Sequence, residues 1–222
     1  MEDDRRERRS VEERRGELVD AAISLVAEEG LSNATTRRIT DRAGVALGAF
    51  HYAFASKAEL VAAVMDRISS RLESALDVSV APGTSSDVAA RRVLEAHAEL
   101  VAADPPLQLA RQELLVRALR DPALQSLVAE QRHRVVAAIH RSLTAAAAPG
   151  ATAGARGTDR DVAGGGRAWS DTVPEALAGY LAATLDGLVL HRHLDPSGAD
   201  GRDALHSEAI TAITTGRRDP VR

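Results

Sequence analysis

An all-α fold in two domains, a small N-terminal one and a larger C-terminal one, is what this sequence predicts, and three observations predict it. Alanine, leucine, valine and arginine are abundant while aromatics make up 2%, which suits helices packed through small and aliphatic side chains more than sheets. Apolar residues recur at helical spacing through most of the chain. Capping residues precede these runs, and glycine or proline follows them.

The elements follow in order. Ser10-Val-Glu-Glu13 has the form of a capping box, and Leu18, Ala22, Leu25 and Val26 then share one helical face that Gly30 should close. Thr35 is the expected N-cap of a short helix over Thr36–Ala43 with Ile39 and Ala43 inward, and Gly44 permits a sharp reversal. A third helix is expected from Ala46 to Phe54. Ser56-Lys-Ala-Glu59 is a second capping box, opening a long helix whose Leu60, Val64, Ile68, Leu72 and Leu76 recur every fourth residue. After the loop Ala81-Pro-Gly-Thr-Ser-Ser86, helices are expected over 88–103, 106–120 and from the Asp121-Pro122 cap to about Ala148. Residues 149–171, including Gly164-Gly165-Gly166, have little to bury and read as a mobile loop. Thr172-Val-Pro-Glu175 should cap a helix ending at Leu194, and Asp203–Thr214 a last one. The domain reading is therefore a charged flexible leader at 1–10, a three-helix domain at 11–58 and a helical domain at 59–222.

Charge and composition exclude several classes. No cysteine is present, so disulfides and thiolate metal sites are ruled out, in keeping with a cytoplasmic setting. The most apolar run, Ala176 to Leu190, contains Asp186 and is too short to span a bilayer, so no membrane partner is expected. The net charge of −4 hides a local excess of cations: between Ser32 and Ala58, Arg37, Arg38, Arg42 and Lys57 stand against Asp41 alone. The leader's arginines are diluted by Glu2, Asp3, Asp4 and Glu7, and form either an arm on phosphates or a solvated tail.

Helices of about fifteen, eight and nine residues with short turns around Ala43-Gly44-Val45 describe a helix-turn-helix unit whose third helix enters the major groove. On that helix Phe50 and Phe54 point inward with Ala46, Ala49 and Ala53, which leaves Leu47, Gly48, His51 and Tyr52 as a nearly flat outer face. Such a face admits backbone close to DNA, presses a leucine on a thymine methyl and offers polar tips to phosphates or base edges; the plainer reading makes His51 and Tyr52 ordinary surface residues. Lys57 is the only lysine among 28 cationic side chains. Beside the cap of its helix it makes a plausible phosphate seat.

Residues 15 to 64 resemble the DNA-binding domain of the tetracycline-repressor (TetR) family: Arg15-Gly-Glu-Leu18, Glu29-Gly30, Thr35-Thr36, Ile39-Thr40, Ala43-Gly44-Val45, Gly48, Phe50-His-Tyr-Ala-Phe54 and Ser56-Lys57-Ala-Glu-Leu60 agree in type and spacing. The resemblance implies a dimer, usually a repressor, with a divergent C-terminal domain that holds an effector and dimerises through its last two helices. It carries Thr36 and Lys57 over as phosphate contacts and the Ala46–Tyr52 helix as the reader, and Thr35 and Arg37 complete the expected DNA-contacting set. Two departures stand out, Ala46 where serine is frequent and His51 where tyrosine is frequent.

The expectation is a ligand-relieved repressor on a palindromic operator, with an activator or a ligand-independent regulator as the alternative. An enzyme is the remote alternative, because serines lack a nucleophile elbow and the glycine run lacks a phosphate-loop lysine. No metal or cofactor is expected, since the C-terminal histidines show no compact ligand spacing. An apolar or amphipathic effector should lie among the helices of residues 86–194, with His97, Arg111, His140 and Asp186 as candidates to orient it. The dimer seam is assigned to Leu181, Leu185 and Leu188 beside the small Ala178, Ala182 and Gly187.

Overall fold

The computed structural model describes residues 2–84, 86–147 and 175–194, all of whose regular elements are helices. They are α1 (Glu2–Glu29), α2 (Thr36–Ala43), α3 (Leu47–Ala53), α4 (Lys57–Leu76), α5 (Ser86–Ala103), α6 (Pro105–Ala118), α7 (Pro122–Ala147) and α8 (Glu175–Leu194). The expected all-α class holds. The expected loop at 149–171, the Thr172 cap and the Asp203–Thr214 helix lie outside the described residues.

The chain forms two compact units, Met1–Arg71 with Val101–His133, and Leu72–Leu100 with the chain from Arg134 onward. In the first, α1 packs against α2, α3 and α6. Its core joins Leu18, Ala22, Leu25 and Val26 of α1 to Ile39, Phe50 and Phe54, to Leu60, Val64 and Ile68 of α4, and to Leu107, Ala110 and Leu114 of α6, all buried. Leu72 and Leu76, which complete the expected α4 stripe, are buried in the second unit.

α1 departs from expectation at its start. It begins at Glu2, so Ser10 lies inside the helix instead of capping it. The arginines and glutamates in this stretch of the sequence are good helix formers. Downstream, Asp121 caps α7 as read, accepting the Ala123 N–H at 3.1 Å. Asp104, read only as part of the stop after α5, also caps α6, which starts at Pro105, by accepting the Leu107 N–H at 3.2 Å.

In the second unit the end of α4 is tied to α7. Buried Ser142 donates to the Leu76 carbonyl and accepts the Val78 N–H, both at 2.9 Å, satisfying groups a helix terminus would otherwise leave orphaned. Arg134 and Arg141 pair with Glu73, and Arg141 also with Asp77, at 3.0–3.4 Å.

Candidate nucleic-acid interface

α2 is fixed at both ends by local chemistry. The Thr35 hydroxyl accepts the Arg38 N–H at 3.4 Å. At the other end Gly44 takes φ +69°, so its own N–H reaches the Asp41 carbonyl at 3.2 Å and the next, Val45, reaches Thr40 at 3.0 Å. This left-handed turn is what glycine permits without strain, and it redirects the chain into α3.

α3 buries Phe50, Ala53 and, at its C-cap, Phe54; the two phenylalanine rings lie 5.8 Å apart. Arg15 of α1 pins this end, with its guanidinium 4.2 Å over the Phe54 ring, a bond to the Ala53 carbonyl and an ion pair to Glu59 at 3.0 Å. Glu59 also accepts the Ala55 N–H at 2.8 Å, while its own N–H is capped by Ser56 at 3.1 Å. The Ala55 bond, and after it Arg15, holds the Glu59 carboxyl below the usual range.

The outer face of α3 lies open. Leu47 is 50% exposed and Tyr52 66%, His51 is exposed, and a side-chain carbon placed on Gly48 would meet nothing within 4 Å. Ala46, expected to face inward, is exposed at the N-cap. It makes no side-chain cap bond, as alanine in place of serine implies, because it offers no oxygen. Thr35 and Arg37 are exposed and Thr36 is half-buried at the start of α2. Lys57 is exposed at the first position of α4, with its ammonium donating to the Leu31 carbonyl at 3.4 Å.

The cation excess is smaller in space than in sequence. Arg42 is paired with Glu28 at 2.6 Å, and Arg38 with Glu29. The Arg42 hydrogen bond lowers the Glu28 pKa and raises that of Arg42. Arg37 and Lys57 are exposed and form no ion pair among the described residues.

All four effector candidates are buried or half-buried. Arg111 is buried on α6 in the first unit, whereas buried His97 and half-buried His140 and Asp186 belong to the second. Two residues missed in the sequence stand out in the first unit: Gln108 and Gln131 are 0% and 1% exposed, and neither amide has a hydrogen-bond partner at either heavy atom. The signal available was helical spacing, since Gln108 and Arg111 are three apart on a helix whose Leu107, Ala110 and Leu114 form the core face. Among the described residues no cluster of metal-binding side chains and no helix long and apolar enough to cross a membrane is found.

The dimer candidates are split as well. Leu181 and Leu185 are buried within the protomer with Ala178 and Ala182, and Leu188 is half-buried.

The model for the tetR family of bacterial regulatory proteins matches residues 18–64, and a tetracyclin repressor-like C-terminal domain model matches residues 85–158. The chain belongs to the TetR family. Its N-terminal part, α1 to the start of α4, is thus a helix-turn-helix DNA-binding domain, and the family is one of transcriptional regulators. The repressor KstR2 of Mycobacterium tuberculosis is 47% identical over 51 residues, 23% of this chain and 26% of that protein. The nicotine-responsive repressor HdnoR of Paenarthrobacter nicotinovorans is 30% identical over 113 residues, 51% of this chain and 58% of that protein. The matches thus span between about a quarter and three-fifths of these curated relatives. A crystal structure of a candidate transcriptional regulator from Streptomyces coelicolor A3(2) aligns with a TM-score of 0.62 at 27% identity, over 91% of this chain and 98% of that one.

Proposed function

We propose that this TetR-family chain is a dimeric repressor that binds a palindromic operator and releases it when a small molecule binds its C-terminal part. The observation that carries the reading is α3, which spends Phe50, Ala53 and Phe54 on the core and leaves Leu47, Gly48, His51 and Tyr52 free to meet base edges. Thr35, Thr36, Arg37, Ala46 and Lys57 flank this face as backbone contacts, with Lys57 and Arg37 supplying the charge. Residues 11–58 are the reading domain and 59–222 the effector and dimer domain, working in the cytoplasm without cofactor or metal.

The dimer seam is reassigned to the exposed side of α8. Ala176, Tyr180, Ala183, Gly187, Leu190 and Leu194 follow one another at steps of four and three residues, the spacing of a helix–helix seam. Nothing lies within 4 Å of a carbon placed on Gly187, so a second helix can approach there. Leu190→Asp should then leave the protomer folded and shift sedimentation to the monomer; a variant still dimeric at low micromolar concentration places the seam elsewhere. The effector is an apolar or amphipathic molecule whose polar group meets Gln108 and Gln131, a reading supported by their unpartnered amides.

The operator reading is tested by titrating DNA at several salt concentrations. Two reading helices about 34–36 Å apart, or a multiple of it, should engage symmetric half-sites. Lys57→Ala should weaken matched and mismatched operators by a similar factor and flatten the salt dependence by about one counterion per lost phosphate contact. Tyr52→Ala and Leu47→Ala should instead change the ranking of operators. If Lys57→Ala changes the ranking and spares the salt slope, the phosphate role is wrong.

A further inference from the structure

A groove of about 320 Å³ lies wholly within the first compact unit, where the α1–α2 turn, the start of α4 and the α6–α7 connection meet. Its volume is at the lower end of the range that small-molecule sites occupy. Leu31, Val61, Leu124 and Leu127 give it an apolar lining, and Lys57 and Arg117 bring two cations to it. Two helix N-termini border it as well, Lys57 and Ala58 of α4 and Ala123 and Leu124 of α7, and the backbone dipoles of both favour negative charge. Asp121 is the opposing charge, but its carboxylate is engaged as the cap of α7. Two cations and two positive helix ends thus outweigh one carboxylate that already has a donor.

We infer that this groove binds a monoanionic amphiphile, a carboxylate with an aliphatic or aryl tail, and that its occupancy opposes DNA binding. The tail covers Leu31, Val61 and Leu127, which are half-buried and gain from leaving water. The carboxylate lies between Lys57 and Arg117. Among the described residues Lys57 is held by its bond to the Leu31 carbonyl alone, at 3.4 Å near the limit for a hydrogen bond, and a carboxylate is the stronger acceptor. Once engaged there, the ammonium is withdrawn from a DNA phosphate. This coupling rests on the phosphate role proposed for Lys57, whereas the site itself does not.

The test uses the full chain with octanoate as probe and 1-octanol as its uncharged counterpart, binding being measured by calorimetry without DNA. Octanoate should bind about tenfold or more tightly than 1-octanol, the factor that one charge-assisted bond supplies. Arg117→Gln should weaken octanoate about tenfold and Arg117→Lys far less, while both variants, altered at an exposed position and adding no carboxylate to compete for Lys57, keep the operator affinity of the parent without octanoate. Saturating octanoate should weaken the operator complex of the parent, and the concentration needed should rise about tenfold for Arg117→Gln. Equal binding of the two probes, indifference to Arg117→Gln, or an operator complex untouched at saturating octanoate would each overturn the inference. A chain that binds octanoate in this way yet binds no duplex DNA would uphold the site and sink the operator reading instead.

Discussion

The α2–α3 unit and the α6–α7 region handle their polar groups in opposite ways. In the first, polar side chains stay outside and buried polar groups are closed by near neighbours: Thr35 caps α2, Gly44 turns the chain, and buried Thr40 donates to the Arg37 carbonyl at 2.8 Å. In the second, Gln108 and Gln131 are carried inside and their amides are left without partners. A surface built to touch a large ligand can be completed by the chain alone. On the proposed function the second region is a site whose buried amides the ligand completes, and each unsatisfied buried group costs about 1–3 kcal/mol until then.

Removing the aromatic core should break the first region outright. Phe54→Ala deletes a ring in contact with Phe50 and under Arg15, which should cost about 3–5 kcal/mol by the usual range for buried phenylalanine. Chemical denaturation measures it. A loss under about 1 kcal/mol would mean that Phe54 is not part of a close-packed core, against the packing of such interiors.

The second region should respond with the opposite sign. Gln108→Leu or Gln131→Leu replaces an unpartnered buried amide by an apolar group of similar volume, so stability should rise by up to about 1–3 kcal/mol while the effector response is lost. If either variant is destabilised by a comparable amount, its amide has a structural partner, and the contrast between the regions fails there.

Legibility follows the same division. The bounds of α2 were readable because Thr35 and Gly44 act within a few residues of the helix they delimit, and the α4 stripe because a four-residue period needs no knowledge of its partner. What the sequence hid was tertiary. Arg38 and Arg42 counted as free cations until α1 brought Glu29 and Glu28 to them. Leu181 and Leu185 read as a dimer seam because α8 is apolar on more than one side, and periodicity does not say which side meets the protomer's own core. Gln108 was passed over because helix propensity treats glutamine alike inside and out. The early start of α1 was missed because the Ser10–Glu13 pattern serves equally well within a helix as at its cap.

Within the reading unit, the two ends of α3 are unequally held, which a gain-of-stability variant can sharpen. Ala46 makes no cap bond whereas the C-terminal end has Arg15 and Phe54. Ala46→Ser supplies the missing acceptor and should stabilise the domain by about 1 kcal/mol. Thermal unfolding would show it as a raised Tm, and no change would mean that the exposed cap is already satisfied by solvent.

The smallest expected effect lies at the pinned end. Ala55 and Arg15 lower the Glu59 pKa in the folded chain, so the unfolded chain binds the proton more readily. The resulting stabilisation is present above the unfolded carboxylate value and is lost as pH falls through the folded one. Because the carboxylate is exposed, solvent and salt screen it and the effect is modest. Glu59→Gln keeps the shape and removes the titration, so its stability should fall less steeply than the parent's between about pH 5 and pH 3, around the ordinary carboxylate range. Denaturation midpoints across that interval decide the matter. Parallel pH profiles for the two chains would mean that Arg15 holds α3 through Phe54 and the Ala53 carbonyl alone, with Glu59 a bystander to it.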